Sequence, residues 1–511
     1  MPVSKLSSLQ KLLSSLSKAE KRHFVLFVGR LDSNKEALYL KLFHAMDSLP
    51  DRDDAYYYKK ISAKNSTQFL NAKRHLYSQV LKGLRLFHEG SGTQFRLRQK
   101  LDYAGLLYKK GLFYESMALL SSISQNSSTV NNLLYLEIAE LKKKIESRHI
   151  TRSRKNKNRI EHLISDTEEL QQLVTREVKM VNISLEVQGL YIKWGFAKDE
   201  RDALMYKVYF NSQIPDFNFV SPSILATVLW HQSFVWYHYM TLNFHFTYKH
   251  AVSWVRKMEA NVVIIKEDPD LFFRGFHYIL TCCFYLERKD KFVYWYEKYK
   301  AYRNEMGYSL EGTTALLDFW YNNNAELNSM IIQNKYPRLS VYTANLETSM
   351  KSFTGMMDVH RMMMFYYKLS LIHNYKGDYE RAIDFLNIIL ENQDKQLRSD
   401  ILCYSRLIHL MTHYRINNFN LILNLLPSVR GAFESNNRMN NVLEIMISFL
   451  RRGSKAVNFG INDLIDTSID KLLVQKQSRF NKVSFLYFDF ISWMLSVKSG
   501  LTVEKIKKEK A

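Results

Sequence analysis

Glycine and proline are scarce along the whole of this chain. Only 17 glycines and 7 prolines occur in 511 residues, whereas 46% of the residues are hydrophobic. Short strands need frequent turns, and these two residues are the strongest markers of turns, so the composition argues against a β-rich fold. It predicts an all-α protein. The length exceeds what one compact core supports, so we expect a helical array that grows by stacking.

Local patterns divide the chain into three parts. Residues 1–90 are predicted to form a basic N-terminal helical domain, in which Ser17 and Glu20 have the spacing of a capping box at a helix start. Glycines near position 90 mark a hinge. Residues 95–500 are predicted to form helical repeats with a basic helix end and loop at 142–159, and residues 501–511 a charged tail.

Helical hairpins are predicted after the hinge. Residues 103–120 read as a helix, a turn at Gly111 and a second helix, with small residues where two helices would approach each other. Aromatic residues that follow a turn recur further on, at Tyr248, Phe292, Tyr379 and Phe419, with separations of 44, 87 and 40 residues. The middle separation is about twice the others. A further turn is therefore expected near 322–336, although no aromatic residue marks it convincingly.

The hairpin at 366–392 resembles a tetratricopeptide repeat (TPR). The residues that match the motif are Tyr366, Leu369 and Ser370 in the first helix, Gly377 and Tyr379 at the turn, and Ala382 and Leu386 in the second helix. Leu386 stands where the motif favours Phe. The resemblance implies that the N-terminal helical bundle is followed by a TPR-like α-solenoid of stacked antiparallel helix pairs. Such a solenoid would offer a concave surface to a peptide or a partner protein.

Positive charge is concentrated at the N-terminal side. The formal net charge is +22, and residues 1–160 hold 30 Lys and Arg against 13 Asp and Glu. The densest run contains one acid and nine basic residues: Lys142, Lys143, Lys144, Arg148, Arg152, Arg154, Lys155, Lys157 and Arg159. Such a run can bind the phosphates of a nucleic acid with salt-dependent affinity. It lacks the aromatic residues that stack on bases, so the composition favours a solvated helix end and loop.

Three histidines recur at seven-residue spacing among aromatic residues, at His231, His238 and His245. Two helical turns cover about 10 Å, so neighbours in this row cannot share one metal ion. Core packing is the favoured interpretation, and a small-molecule pocket is the alternative. His409 and His413 lie four residues apart but lack a third ligand. No metal site is predicted.

Motifs for catalysis and phosphate binding are missing from the sequence. It contains no GxxxxGK[ST], no GxGxxG that opens a helix after a strand, and no GxSxG. We therefore predict no enzymatic activity and no cofactor. Three cysteines without metal-ligand spacing, Cys282, Cys283 and Cys403, fit a reducing compartment. No secretory signal is indicated, and the uncharged stretch 217–248 is too polar to span a membrane. A cytoplasmic protein is expected.

These features favour a non-enzymatic scaffold or adaptor that binds a peptide or partner protein on a TPR-like concave surface. A nucleic-acid-associated regulator that uses the basic residues 1–160 is the alternative. An enzyme with its site at 231–245 is the least supported reading.

Overall fold

The computed structural model describes residues 8–31, 37–50, 52–90, 93–124, 131–148, 159–306, 312–353, 356–391, 398–455 and 460–509. Of these residues 85% are helical, and none of them lies in a β-strand. The all-α fold predicted from the scarcity of turn residues is confirmed. The chain divides into two compact units, Met1–Val174 and Thr175–Ala511.

The first unit begins with a group of five helices and continues with three more. They are α1 (Ser8–Ser15), α2 (Lys18–Leu31), α3 (Leu38–Ser48), α4 (Asp54–Lys60), α5 (Ser66–Phe87), α6 (Thr93–Lys109), α7 (Phe113–Ser124) and α8 (Asn132–Arg148), with a 3-10 turn at His88–Gly90. The predicted capping box starts α2: Ser17 N donates to Glu20 Oε2 at 2.7 Å, and Glu20 N donates to Ser17 Oγ at 3.2 Å. Phe24, Phe43 and Leu76 are buried where α2, α3 and α5 pack together.

The hairpin predicted at 103–120 is formed by α6 and α7. Gly111 lies in the turn between them with φ +78°. The small residue Ala104 is fully buried, and its carbonyl accepts a hydrogen bond from Ser116 Oγ at 2.7 Å. A small side chain at this position therefore allows the close approach of the two helices.

Helix α9 (Arg159–Trp194) begins in the first unit and ends in the second. The other helices of the second unit are α10 (Glu200–Gln213), α11 (Phe217–Val220), α12 (Ile224–Met240), α13 (Phe244–Glu259), α14 (Val262–Glu267), α15 (Pro269–Tyr285), α16 (Lys289–Met306), α17 (Gly312–Gln333), α18 (Leu339–Ser352), α19 (Val359–Lys376), α20 (Tyr379–Leu390), α21 (Ser399–Arg415), α22 (Phe419–Ser435), α23 (Asn441–Gly453), α24 (Ile461–Gln477), α25 (Ser484–Tyr487), α26 (Phe490–Ser499) and α27 (Val503–Glu509), with a 3-10 turn at Asn481–Val483. No helix in the described ranges is both long and apolar enough to cross a bilayer.

Helices of the second unit pack in pairs and in a row. Helix α12 packs on α13, α15 on α16, α19 on α20, α21 on α22, and α23 on α24. The helices α15, α17, α19 and α21 also pack side by side, α15 on α17, α17 on α19, and α19 on α21. We call these four helices the helix row. Packing within pairs and along the row is compatible with a solenoid.

The TPR-like hairpin is formed by α19 and α20. Leu369, Ser370, Ala382 and Leu386 are fully buried between or beside the two helices. The other motif residues have the following places: Gly377 ends α19 in the left-handed conformation, Tyr366 packs on the Phe385 ring, and Tyr379 Oη accepts a hydrogen bond from Arg415 Nε at 2.7 Å. The motif residues therefore have packing or turn roles in this hairpin, except that Tyr379 contacts the next helix, α21.

The expected further turn lies between α17 and α18. Asn334 and Arg338 adopt positive φ angles of 51° and 47° there. Both left-handed positions are occupied by residues other than glycine. No glycine in the sequence therefore marks this turn.

The segment predicted as a charged tail, 501–511, is ordered into helix α27 over its described part. Val503 and Ile506 of this helix are buried. Lys507 forms an ion pair with Asp489 at 2.9 Å and lies over the ring of Tyr375 on α19. The segment is rich in lysine, but Val503 and Ile506 lie three positions apart and give this short helix one buried side.

Residues 478–509, which we call the C-terminal segment, cross the helix row. Tyr367 Oη of α19 donates to the carbonyl of Tyr487 at 2.8 Å. Arg415, at the end of α21, donates to the carbonyls of Ser496 at 2.6 Å and Leu501 at 3.0 Å. Three of the hydrogen bonds between the row and this segment are therefore accepted by backbone oxygens of the segment.

Apolar burial accompanies these hydrogen bonds. Phe490, Trp493 and Met494 of the C-terminal segment are fully buried. The Trp493 ring packs against Tyr414 of α21 and Phe449 of α23. Full burial of side chains of this size contributes roughly 1.5–3 kcal/mol each, which makes the segment an integral part of the second unit.

Substitution of Gly377 tests how closely the C-terminal segment packs against the turn after α19. A Cβ at Gly377 would lie 2.8 Å from Thr502 Cγ2, and φ is +90°. We expect Gly377→Ala to lower the melting temperature more than Gly500→Ala does. Gly500 has φ +72° and no atom near such a Cβ, so that variant carries only the conformational strain, about 1–2 kcal/mol.

Overpacking adds about 1–3 kcal/mol at Gly377. Thr502→Ser removes the clashing methyl group, so it should recover part of the loss when combined with Gly377→Ala. Thermal unfolding followed by circular dichroism measures all three variants. Equal losses for the two glycine variants would contradict the close packing of Thr502.

Candidate functional site

The basic run predicted at 142–159 is partly neutralised in the first unit. Lys142, Lys143, Lys144 and Arg148 lie on α8 and Arg159 begins α9, whereas Arg152, Arg154, Lys155 and Lys157 lie outside the described residues. Lys143 Nζ pairs with Glu140 Oε1 at 2.7 Å, and Arg159 Nη2 pairs with buried Glu146 at 2.8 Å. Burial lowers the pKa of Lys142. Part of the run therefore connects two helices of this unit, and is less available to phosphates.

Only two of the three predicted histidines come together. His231 and His238 on α12 both lie beside His250 of α13, a residue that the seven-residue spacing does not include. The Nδ1 atoms of His231 and His250 are 3.1 Å apart, so one ring donates and the other accepts. His245 is exposed and faces Arg288, whose Nη2 lies 3.0 Å from its Nδ1.

The clustered imidazoles are uncharged near neutral pH. Burial lowers the pKa of His231, His238 and His250 to about 4. The ring of His250 stacks on Phe234 with centroids 4.6 Å apart. Among the described residues no group of three His, Cys, Asp or Glu side chains is arranged to hold a metal ion. The contacts are those of packed neutral aromatic rings.

A second group, in the helix row, combines buried charge with the C-terminal segment. Arg398, just before α21, holds Asp400 through two hydrogen bonds of 2.8 and 2.7 Å. Tyr487 Oη donates to the same carboxylate at 2.8 Å and its ring stacks on Tyr404 at 3.9 Å. Burial alone would raise the pKa of Asp400, but the ion pair and hydrogen bonds outweigh it and lower this pKa. These contacts hold Arg398, Asp400 and Tyr487 in a fixed arrangement, which we call the Asp400 group.

A third group joins three helices of the row around one lysine. Lys368 of α19 donates to the amide oxygens of Asn324 and Asn328 on α17, the latter at 2.6 Å. Asn324 Nδ2 donates to His277 Nδ1 on α15 at 3.3 Å, and the His277 ring packs on Trp320 at 4.8 Å. We call these residues and Arg274, which lies one turn before His277, the donor cluster.

The electrostatics of the donor cluster are unusual. Burial lowers the pKa of Lys368 to about 7, and no acidic group offsets this effect. Burial, with further contributions from Lys368, Arg274 and Arg361, lowers the pKa of His277 to about 3. An ammonium removed from water without a counter-ion is costly, so strongly perturbed groups of this kind mark candidate functional sites.

The donor cluster and the C-terminal segment share one face of α19. Met364, Lys368 and Tyr375 are spaced four and seven residues apart, which places them on the same side of a helix. Tyr375 contacts the C-terminal segment, since its Oη accepts a hydrogen bond from Asp489 N at 3.2 Å. Met364 and Lys368 remain partly exposed. The C-terminal segment therefore covers one stretch of the row. The neighbouring stretch, in which Met364 and Lys368 are partly exposed, we call the open stretch.

Comparison with known proteins finds no matching family model, no similar curated protein and no similar solved structure. The TPR resemblance therefore rests on the residues of the α19–α20 hairpin.

Sequence reasoning missed the donor cluster because its members are isolated in the sequence. Asn324 and Asn328 differ by one helical turn, but Lys368 follows 40 residues later and His277 precedes them by 47. A lone lysine on a helix ordinarily points to solvent. The sequence feature that could have indicated the cluster is the pair Asn324 and Asn328, which lie on one face of a helix. Buried amide side chains require polar partners.

The histidine group predicts a pH-dependent stability. Folded-state pKa values near 4 lie below the ordinary 6.5, so the unfolded chain takes up protons first as the pH falls. Stability should be unaffected above pH 6.5 and fall between pH 6.5 and 4, by at most about 2 kcal/mol per ring at pH 5. Urea unfolding at pH 7 and pH 5 measures the loss.

Replacement of one ring separates this effect from general acid denaturation. His250→Phe keeps the stacking on Phe234 and removes one titrating group, so the difference between pH 7 and pH 5 should shrink. His245→Phe, at an exposed position of the same helix, should leave the difference nearly as it is. The same pH dependence in both variants would show that the buried rings do not control it.

Proposed function

We propose that this protein is a non-enzymatic interaction scaffold or adaptor of the TPR-like superfamily, and that its helix row binds an extended segment of a partner protein. The side-by-side packing of the helix row supports this proposal. Stacked helix pairs in a solenoid present a continuous surface along such a row. No reaction needs to be assigned to the donor cluster for this function.

The observation that carries the proposal is the C-terminal segment itself. The helix row already holds a polypeptide, with side chains of α19 and α21 that donate to backbone carbonyls. Backbone carbonyls are common to every sequence, so a surface that binds them is suited to polypeptides in general. The open stretch continues the same face of α19, and Met364 and Trp320 offer it apolar and aromatic contact area.

Polyanion binding through residues 1–160 remains the less supported alternative. Its strongest feature is α5, whose 22 residues include Lys73, Arg74, Lys82 and Arg85 but no Asp or Glu. Against it, two cations of the 142–159 run form ion pairs inside the first unit. A scaffold whose basic first unit does not bind a polyanion is compatible with both the cations of α5 and the ion pairs of the 142–159 run.

We place the scaffold in the cytoplasm. Cys282, Cys283 and Cys403 are all buried and unbridged. Burial raises the pKa of each thiol, so these cysteines have the character of small apolar core residues. A reducing compartment suits a protein with thiols in its core.

Site-specific photocrosslinking tests the binding surface. A benzophenone amino acid at Met364, in the open stretch, should form a discrete adduct with one partner when cells that produce the protein are irradiated. The same amino acid at Ile388, which is 42% exposed on α20, serves as the matched apolar control and should not form it. Mass spectrometry of the adduct identifies the partner. Absence of an adduct at Met364, or the same adducts at both positions, would contradict the proposal.

A further inference from the structure

Each hydrogen-bond acceptor of the donor cluster already accepts one internal bond. The amide oxygens of Asn324 and Asn328 accept from Lys368, and His277 Nδ1 accepts from Asn324. A neutral imidazole that accepts at Nδ1 carries its hydrogen on Nε2. Three groups of the cluster keep an N–H for which the cluster supplies no acceptor: the Lys368 ammonium, His277 Nε2 and the Asn328 amide.

The indole of the cluster adds a donor without an acceptor. Trp320 Nε1 is buried and has no acceptor among the described residues, and its ring packs on His277. Buried polar groups without a partner are rare, because each costs about 1–3 kcal/mol unless a ligand or water satisfies it.

Lys368 also lacks a counter-charge. The positive groups that act on His277 are Lys368, Arg274 and Arg361. The two arginines have partners, since Arg361 pairs with Asp358 and Arg274 interacts with Tyr321 and Asp268. Lys368 itself has amide partners and no carboxylate.

From this geometry we infer that the donor cluster is a binding site for an anionic oxygen group, a carboxylate or a phosphate, with Lys368 as its central ligand. The helices α15, α17 and α19 each contribute an N–H donor to the cluster that contains the partly exposed Lys368. An oxyanion supplies an acceptor for such donors and a counter-charge for the lysine. The inference rests on the proposed function when the anion is an acidic side chain of the bound segment, and is independent of it when the anion is free.

Binding should be coupled to protonation of Lys368. Burial holds its pKa at about 7 in the free protein, and a bound anion favours the charged amine. The complex therefore takes up a proton above neutral pH, and affinity should fall by up to about tenfold per pH unit above pH 7. Glutamate side chains stay ionised throughout this range.

The experiment uses the full chain and a rhodamine-labelled hexaglutamate peptide, read by fluorescence anisotropy at pH 6 to 9. The matched probe is hexaglutamine, and inorganic phosphate competes as the free anion. Lys368→Met should weaken hexaglutamate binding about tenfold or more, because a charge-assisted hydrogen bond is lost. Lys376→Met makes the same charge change at an exposed position of α19 and should have little effect.

Trp320→Phe provides a second variant, which keeps an aromatic side chain but removes the N–H donor together with part of the ring system. It should weaken binding several-fold with an unchanged circular dichroism spectrum. Acetylation of Lys368, followed by mass spectrometry, should be rapid near pH 7 and slowed by hexaglutamate but not by hexaglutamine. Competition by phosphate with equal affinity would identify a free anion as the sufficient ligand.

The inference is overturned if Lys368→Met and Lys376→Met bind hexaglutamate and phosphate alike, or if neither anion protects Lys368 from acetylation. These results are distinguishable from failure of the proposed function. A crosslink at Met364 without anion binding at Lys368 would leave the scaffold and remove the anion site. Anion binding at Lys368 without a crosslink would do the reverse.

Discussion

The hydrogen bond from Tyr487 to Asp400 is the contact on which the second unit depends. Asp400 is a buried carboxylate, and it stays ionised because Arg398 and Tyr487 satisfy it from two different parts of the chain. Loss of one partner of a buried pair typically costs about 3–5 kcal/mol, since a charge is left uncompensated. The Asp400 group thereby holds the C-terminal segment across the helix row. The position of this segment determines which stretch of the row is covered and which is open.

Features with local physical causes could be predicted from the sequence. The capping box at Ser17 and Glu20 needs only one helical turn of chain, and it forms as expected. The turns at Gly111 and Gly377 also follow from local chemistry, because both glycines adopt positive φ angles. The all-α class follows from composition in the same way. In each case the residues that determine the structure are neighbours in the sequence.

Features that depend on distant residues could not be predicted. The turn at Asn334 could be placed only within 322–336, from the spacing of the turns on either side, because a non-glycine residue takes the left-handed conformation there. Within the charged tail, residues 503–509 form a helix whose Val503 and Ile506 are buried and which packs on α19 and α26, and no local pattern reveals these contacts. The partner of His231 is His250 on the next helix, a residue outside the seven-residue row of histidines. The helix row assembles the donor cluster from three helices, so its chemistry exists only after packing.

The C-terminal segment also shapes how the second unit can fold. In a simple solenoid each pair contacts its neighbours, so folding can spread from one repeat to the next. Here Tyr367 bonds to Tyr487, and Asn334 bonds to the carbonyl of Glu504, 170 residues away. Contacts of such separation slow folding, because a long loop must close first. During synthesis the aromatic side of the helix row therefore stays uncovered until residues 484–509 emerge, and this interval exposes the nascent chain to aggregation.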